Sequence, residues 1–148
     1  MTMKTVPLKR KIAAVLVLVL AGMQLVRCDH TNPPVTAEIQ ASPEVKAILR
    51  RACYDCHSNE SRWPWYSQVA PVSWLVARDV RDGRRHLNFS EWGTKSEAVR
   101  GKKQLEAGQE IASGEMPMSI YVPLHGEAKL SDADKAVLRA WANGPVTP

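Results

Sequence analysis

Two cysteines and a histidine stand close together near the middle of the chain, in the order Cys53-Tyr54-Asp55-Cys56-His57. Two thiols separated by two residues can add to the two vinyl groups at one edge of a haem and form thioethers. A histidine directly after the second thiol then lies beneath the ring, where its imidazole can ligate the iron. The C-x-x-C-H spacing therefore predicts one covalent haem c, attached through Cys53 and Cys56, with His57 as an axial iron ligand.

Paired cysteines also serve three other chemistries. A thioredoxin-like redox pair needs a βαβ context, and a zinc site needs a fourth ligand and usually a second paired motif. The third cysteine, Cys28, lies across a proline-containing segment. A disulfide between Cys53 and Cys56 would suit an oxidising compartment. Haem attachment is favoured, because the N-terminal sequence predicts export and c-type haem is attached outside the cytoplasm.

Met116 is the predicted second axial ligand of the iron. It precedes Pro117 in a segment rich in proline and glycine, 59 residues after His57 (116 minus 57). A haem is the largest apolar object in so small a domain, and a loop of this kind is expected to cover its distal face. A thioether ligand favours ferrous iron and raises the potential, which suits an electron carrier. The alternatives are an open position, Met118, His125 and His86.

Aromatic side chains follow the attachment motif closely, and five tryptophans are many for 148 residues. Trp63 and Trp65 are candidates for a wall around the porphyrin, and Tyr121 for a hydrogen bond at the haem edge. Ordinary core packing would explain the same residues. Some arginines could neutralise haem propionates, because guanidinium binds carboxylate in a planar fork. These arginines are Arg78, Arg81, Arg84 and Arg85.

The surplus positive charge of the chain is concentrated at its N-terminus. Residues 1–28 contain five basic residues and no acidic one, and the other 15 basic residues are balanced by 15 acidic ones. The five are Lys4, Lys9, Arg10, Lys11 and Arg27. The remainder is therefore neutral overall, which argues against nucleic acid as a partner, because such domains carry their basic excess on the folded surface.

An apolar run, IAAVLVLVLAGMQLV, occupies residues 12–26 directly after the basic stretch. Positive charge resists translocation, so this pattern predicts that the haem domain is exported to the periplasm. The run is short for a membrane-spanning helix, which needs roughly 20 apolar residues. We nevertheless expect residues 1–28 to be an uncleaved signal anchor in the inner membrane. Cleavage of this segment and lipidation of Cys28 are the alternatives. Both reactions favour small residues just before the processed position, and the sequence has none there.

The rest of the sequence predicts an all-α domain, because no stretch alternates convincingly with a period of two. Residues 29–42 contain Pro33-Pro34 and are typical of a linker. Residues 43–144 are assigned to the haem domain. Its helices are expected directly after Ser42, with Cys53 at the end of the first, and then over about residues 72–85, 96–113 and 131–143.

The motifs together resemble a bacterial haem-binding-domain family of small c-type cytochromes. The similar stretches cover about residues 32–142 and are NPPV, CYDCHSN, WPWYS, APVSWLV, GRRHLNFSEW and MP, followed by Tyr121, His125, LSDADK and Trp141. The resemblance implies a monohaem, cytochrome c-like helical fold in the periplasm, held near the membrane. Cys28 departs from the pattern of the family.

The expected function is electron transfer between redox partner proteins at the periplasmic face of the membrane, without an enzymatic reaction. A peroxidase-type enzyme and a haem-based redox or gas sensor are the competing hypotheses, and both need an open or labile distal position. The sequence shows no distal His–Arg pair placed for peroxide cleavage.

Overall fold

The computed structural model describes residues 7–148, and within this range it contains helices and no strand. The predicted all-α fold is therefore confirmed. The α-helices are α1 (Leu8–Met23), α2 (Pro43–Ala52), α3 (Tyr54–His57), α4 (Val72–His86), α5 (Glu97–Ser113) and α6 (Asp132–Ala142). Shorter 3-10 turns cover Trp65–Gln68, Phe89–Thr94, Val122–Leu124 and Gly126–Ala128.

The ends of the helices follow local sequence signals. The side chain of Ser42 accepts a hydrogen bond from the Val45 amide at the start of α2. Ser131 and Asp134 form a reciprocal capping box at the start of α6. Helix α5 ends at Gly114, whose φ of 83° is left-handed and favours glycine. The helix boundaries expected from the sequence are thus confirmed to within a residue or two.

The described chain divides into two units, and each is treated by itself. One contains the residues up to His30 together with Trp63–Arg78, and the other contains Thr31–Arg62 together with Asp79–Pro148. We call them the N-terminal unit and the main unit. This division differs from the one expected from the sequence, which was an anchor (residues 1–28), a linker (29–42) and a haem domain (43–144).

Aromatic rings make up the centre of the main unit. Tyr54 stacks on Phe89, Phe89 on Trp92, and Trp92 lies beside Trp141, with ring centroids 5.4, 6.0 and 6.4 Å apart. Burial of such rings supplies most of the hydrophobic stabilisation available to a small domain. The core thus joins α3, the 3-10 turn at Phe89–Thr94 and α6.

Part of the expected linker belongs to this core. Ile39 is fully buried, and its amide donates to the carbonyl of Phe89 at 3.0 Å. The carboxylate of Glu38 forms ion pairs with Lys46 and Arg50 of α2. The folded main unit therefore begins before Pro43, because the apolar side chain of Ile39 fills the core.

Helix α1 belongs to the N-terminal unit, and its apolar side chains are exposed. Just after α1, the Nε2 of Gln24 donates to the carbonyl of Ala70 at 3.1 Å, and its Oε1 accepts from the Ala70 amide at 3.0 Å. The indole of Trp74 donates to the carbonyl of Val26 at 3.0 Å. Among residues 7–148, no helix combines the length and the hydrophobicity needed to cross a membrane. The expected membrane-spanning anchor is therefore not supported.

Candidate functional site

The main unit contains a cavity of about 560 Å³, which is within the usual range of about 300–1,000 Å³ for cofactor pockets. Its walls come from α2, α3, α4, α5 and the loop that follows α5. Cys53, Cys56 and His57 all line it, together with apolar side chains such as Leu49, Leu87, Phe89 and Ile111. The structure thus brings the attachment motif to the wall of a largely apolar pocket.

The ring of His57 is held by backbone carbonyls at the end of α4 and just after it. Its Nδ1 lies 3.0 Å from the carbonyl oxygen of Gly83 and 3.1 Å from that of Leu87. Both partners can only accept, so Nδ1 carries the proton and Nε2 carries the lone pair. Burial lowers the pKa of His57 and outweighs the opposing effect of the two carbonyl bonds. The imidazole is therefore prepared to ligate a metal through Nε2.

Gly83 brings the backbone of α4 against the attachment motif. A Cβ atom at this position would lie 2.5 Å from the carbonyl oxygen of Cys56. Glycine within a helix costs about 1 kcal/mol relative to alanine, so its presence here marks a close approach of two backbones. That approach lets the carbonyl oxygen of Gly83 reach the ring of His57.

All three cysteines are free thiols in the structure. Burial raises the pKa of Cys53 to about 12, and the neighbouring Cys56 adds to the effect. Burial likewise raises the pKa of Cys56 to about 11, with a further contribution from Asp55. Both thiols of the motif are therefore protonated and available for thioether formation.

The candidates for the second axial position separate clearly. Met116 and Met118 both line the cavity, and His86 does so as well. His125 is not part of the lining; its ring stacks on Tyr121, with centroids 4.0 Å apart. The amide of Met116 donates to the carbonyl of Glu110 at 3.1 Å, which ties the start of the loop to α5. Met116, Met118 and His86 thus line the cavity and His125 does not, and the identity of the second axial ligand stays a prediction.

Tyr121 also lines the cavity, but its hydroxyl donates to Asp55 Oδ2 at 2.7 Å. Burial alone would raise the pKa of the Asp55 carboxyl. The hydrogen bonds from Arg62 and Tyr121 and the charge of Arg62 outweigh burial and lower it. Tyr121 thus ties the loop after α5 to the attachment motif.

Other predicted site residues lie elsewhere. Trp63 and Trp65 belong to the N-terminal unit, and Trp65 is 79% exposed, so their contact with haem stays a prediction. Arg84 bonds the carbonyl oxygens of Thr31 and Ser58 and the side chain of Asn32, at 2.7–3.0 Å. It therefore joins two segments of the main unit.

Comparison with known proteins agrees with this geometry. Residues 18–144 of the 148 match the model of a haem-binding domain. The chain belongs to the haem-binding domain family. No curated protein and no solved structure gives a significant match to the chain.

The residues of this haem-binding domain fit a haem. The cavity offers a neutral imidazole with its Nε2 available, two protonated thiols and apolar walls. Imidazole and thioether are ligands that haem iron accepts in proteins. The donor set and the volume thus agree with the cofactor of the family.

Sequence reasoning missed the backbone groups that orient His57. The carbonyls of Gly83 and Leu87 carry no side-chain signature, although a glycine within a helix hinted at a close contact. Sequence reasoning also gave no role to Asp55, whose carboxylate accepts a hydrogen bond from Tyr121 in this haem-binding domain.

Proposed function

We propose that this haem-binding domain is a monohaem c-type cytochrome that transfers electrons. The observation that carries the proposal is the position of His57. Its Nδ1 donates to the carbonyl of Gly83 in α4 and to that of Leu87 just after α4, in a cavity that is also lined by both cysteines of the attachment motif. This arrangement favours covalent attachment at Cys53 and Cys56 and ligation by His57.

A bound haem would supply reversible one-electron chemistry at its iron. The protein residues have separate tasks in this proposal. Cys53 and Cys56 would hold the ring by two thioethers, and His57 would present Nε2 to the iron. The loop after α5 covers the other side with Met116 and Met118, and it is tied down by Tyr121 at Asp55. Sulfur in that position would exclude water and small ligands, which suits electron transfer better than catalysis.

A comparison of cysteine variants tests covalent attachment. Full-length protein matured in an export-competent host should keep its haem in a denaturing gel and carry the mass of one haem. Cys53→Ser and Cys56→Ser should each leave at most one thioether, and His57→Ala should lose the normal low-spin spectrum. Cys28→Ser is the matched control and should keep haem fully. Complete removal of haem by acid–acetone extraction of the wild type would contradict the proposal.

Carbon monoxide distinguishes the electron carrier from the two competing functions. An electron carrier with a methionine ligand should bind the gas slowly or not at all in the ferrous state. Immediate binding, with a high-spin spectrum, would favour a sensor or a peroxidase-type enzyme. Among the described residues, the cavity lining contains no arginine that could assist a histidine in peroxide cleavage.

The proposed location is the periplasmic side of the inner membrane, with the N-terminal segment as the tether. The basic residues Lys9, Arg10 and Lys11 at the start of α1, and the exposed apolar side chains that follow them in the helix, support this proposal. Intact protein should resist alkaline extraction from membranes, and its mass should include residues 1–28. A mature N-terminus at Asp29, or acyl chains on Cys28, would contradict an uncleaved tether.

A further inference from the structure

We propose that the N-terminal unit contacts the lipid bilayer through a second surface, formed outside α1 by Leu25, Trp65, Val69, Val72 and Leu75. We call these five residues the Trp65 surface. The inference rests on the proposed tether and adds a specific lipid contact to it. It also gives Trp65 a role that differs from the predicted wall around the porphyrin.

Exposure is the first observation. Trp65 is 79% exposed and Leu25 is 85% exposed, and the other three side chains are 42–54% exposed. Val72 and Leu75 lie one helical turn apart at the start of α4 and therefore share a face of that helix. Large exposed apolar areas in a folded protein mark binding surfaces.

The absence of charge in the sequence is the second observation. The 15 residues from Trp63 to Ala77 contain no Asp, Glu, Lys or Arg, although 24% of the whole chain is charged. The stretch from Ile12 to Val26, which covers α1 after its basic first turn, likewise contains no charged residue. A surface in contact with water would be expected to carry several charges over such a length. Two uncharged segments thus make up most of one unit.

Hydrogen bonds connect these two segments, and this is the third observation. Gln24 bonds both the amide and the carbonyl of Ala70, and Trp74 donates to the carbonyl of Val26. Leu25 lies between the two attachment points on one segment, and Val69 and Val72 flank Ala70 on the other. The Trp65 surface is therefore continuous with the C-terminal end of α1.

The length of α1 explains why the bilayer is the partner. Its 16 residues rise about 24 Å at about 1.5 Å each, whereas the hydrocarbon core is about 30 Å thick. Apolar side chains just beyond α1 would extend the surface that lipid can cover. Tryptophan is enriched where hydrocarbon meets headgroups. Arg27 and Arg78 directly follow the two uncharged segments in the sequence, and basic side chains are attracted to anionic headgroups.

Spin-label accessibility tests this surface in the intact holoprotein. The full chain with Cys28→Ser carries a nitroxide at Trp65→Cys and is reconstituted in phosphatidylcholine and phosphatidylglycerol vesicles, with the iron reduced. Oxygen concentrates in lipid and a nickel chelate stays in water. The ratio of oxygen to nickel accessibility should be several-fold higher at position 65 than at Ile120→Cys. Ile120 is the matched control, because it is also 79% exposed but belongs to the main unit.

Labels at other positions leave the native Trp65 in place. They also distinguish failure of this inference from failure of the proposed tether. Val69→Cys and Leu75→Cys should show the same lipid accessibility as position 65. If Leu16→Cys in α1 is lipid-accessible while positions 65, 69 and 75 match the control, the tether stands and the Trp65 surface is wrong. If Leu16→Cys is also water-accessible, the tether itself fails. Spin–spin broadening at position 65 would indicate a second copy on the surface and would also overturn the inference.

Discussion

Nδ1 of His57 donates to the carbonyl oxygen of Gly83 across 3.0 Å, although the two residues are 26 positions apart. The same glycine touches the carbonyl of Cys56, where an added Cβ would lie at 2.5 Å. Helix α4 therefore positions both the second cysteine of the attachment motif and the ring of the histidine. The proximal side of the cavity thus depends on the close approach of α4 to the attachment motif.

Substitution of Gly83 should disturb this contact directly. In Gly83→Ala the new methyl group collides with the backbone of Cys56, which must shift because backbone cannot rotate away. We expect the free energy of unfolding to fall by about 1–3 kcal/mol, and the spectrum of the bound haem to change. Urea titration and absorption spectroscopy measure the two effects.

Gly126→Ala is the control for that substitution, because a Cβ at Gly126 meets no atom within 4 Å. It should leave both the unfolding free energy and the spectrum close to wild type. Equal behaviour of the two variants would show that the approach of α4 to Cys56 does not position His57.

Substitution of Met116 should identify the second axial ligand. If its sulfur binds the iron, ferric wild-type protein has the weak near-red charge-transfer band of sulfur ligation. Met116→Ala should then lose this band, bind carbon monoxide readily and have a lower reduction potential. Absorption spectroscopy and a redox titration measure these changes.

Met118→Ala is the matched control, because both methionines line the cavity. The band should persist in this variant. Loss of the band in Met118→Ala alone would assign the ligand to Met118, and a bis-imidazole spectrum in the wild type would favour His86, which lines the cavity.

Glu38 should make the stability of the main unit depend on pH. Burial would raise the pKa of its carboxyl, but hydrogen bonds from Lys46 and Tyr54 and the charges of Arg50 and Lys46 lower it. A lowered pKa means that Glu38 stabilises the fold above its unfolded pKa, and that this contribution is lost as pH falls through the folded pKa. Glu38→Gln should therefore cost about 1.5–3 kcal/mol at neutral pH and much less in acid.

Urea unfolding at pH 7 and near pH 3 measures this difference. Glu115→Gln is the control, since it removes the same charge from an exposed residue after α5. This variant should leave the free energy of unfolding close to that of the wild type. A cost of Glu38→Gln that is the same at both pH values would contradict the lowered pKa.

Gln24 should hold the segment from Trp63 to Arg78 in place. Gln24→Ala removes both of its hydrogen bonds to Ala70, so the Ala70 amide should exchange with deuterium faster. Hydrogen-exchange mass spectrometry of peptides covering residues 63–78 measures this. Gln40→Ala is the control, because the side chain of Gln40 donates to the carbonyl of its near neighbour Glu38. Unchanged exchange in Gln24→Ala would show that other contacts hold the segment.

The sequence predicted the helices of the main unit well, because their signals are local. Ser42 and Ser131 cap helices through amides three residues away, and Gly114 ends α5 with its own backbone conformation. The 3-10 turn at Phe89–Thr94 escaped prediction. It carries two buried aromatic side chains on six residues, and such a short element has no periodicity to detect.

What the sequence determined by itself is therefore chemistry at short range: two thiols and an imidazole at haem-attachment spacing, and the approximate ends of α2, α4, α5 and α6. The tertiary structure decided which distant groups meet them. Tyr121 reaches Asp55 over 66 positions, the carbonyls of Gly83 and Leu87 orient His57, and Ile39 enters the core from an expected linker. Backbone carbonyls are identical in every residue, so only the packing of helices selects the two that face the histidine.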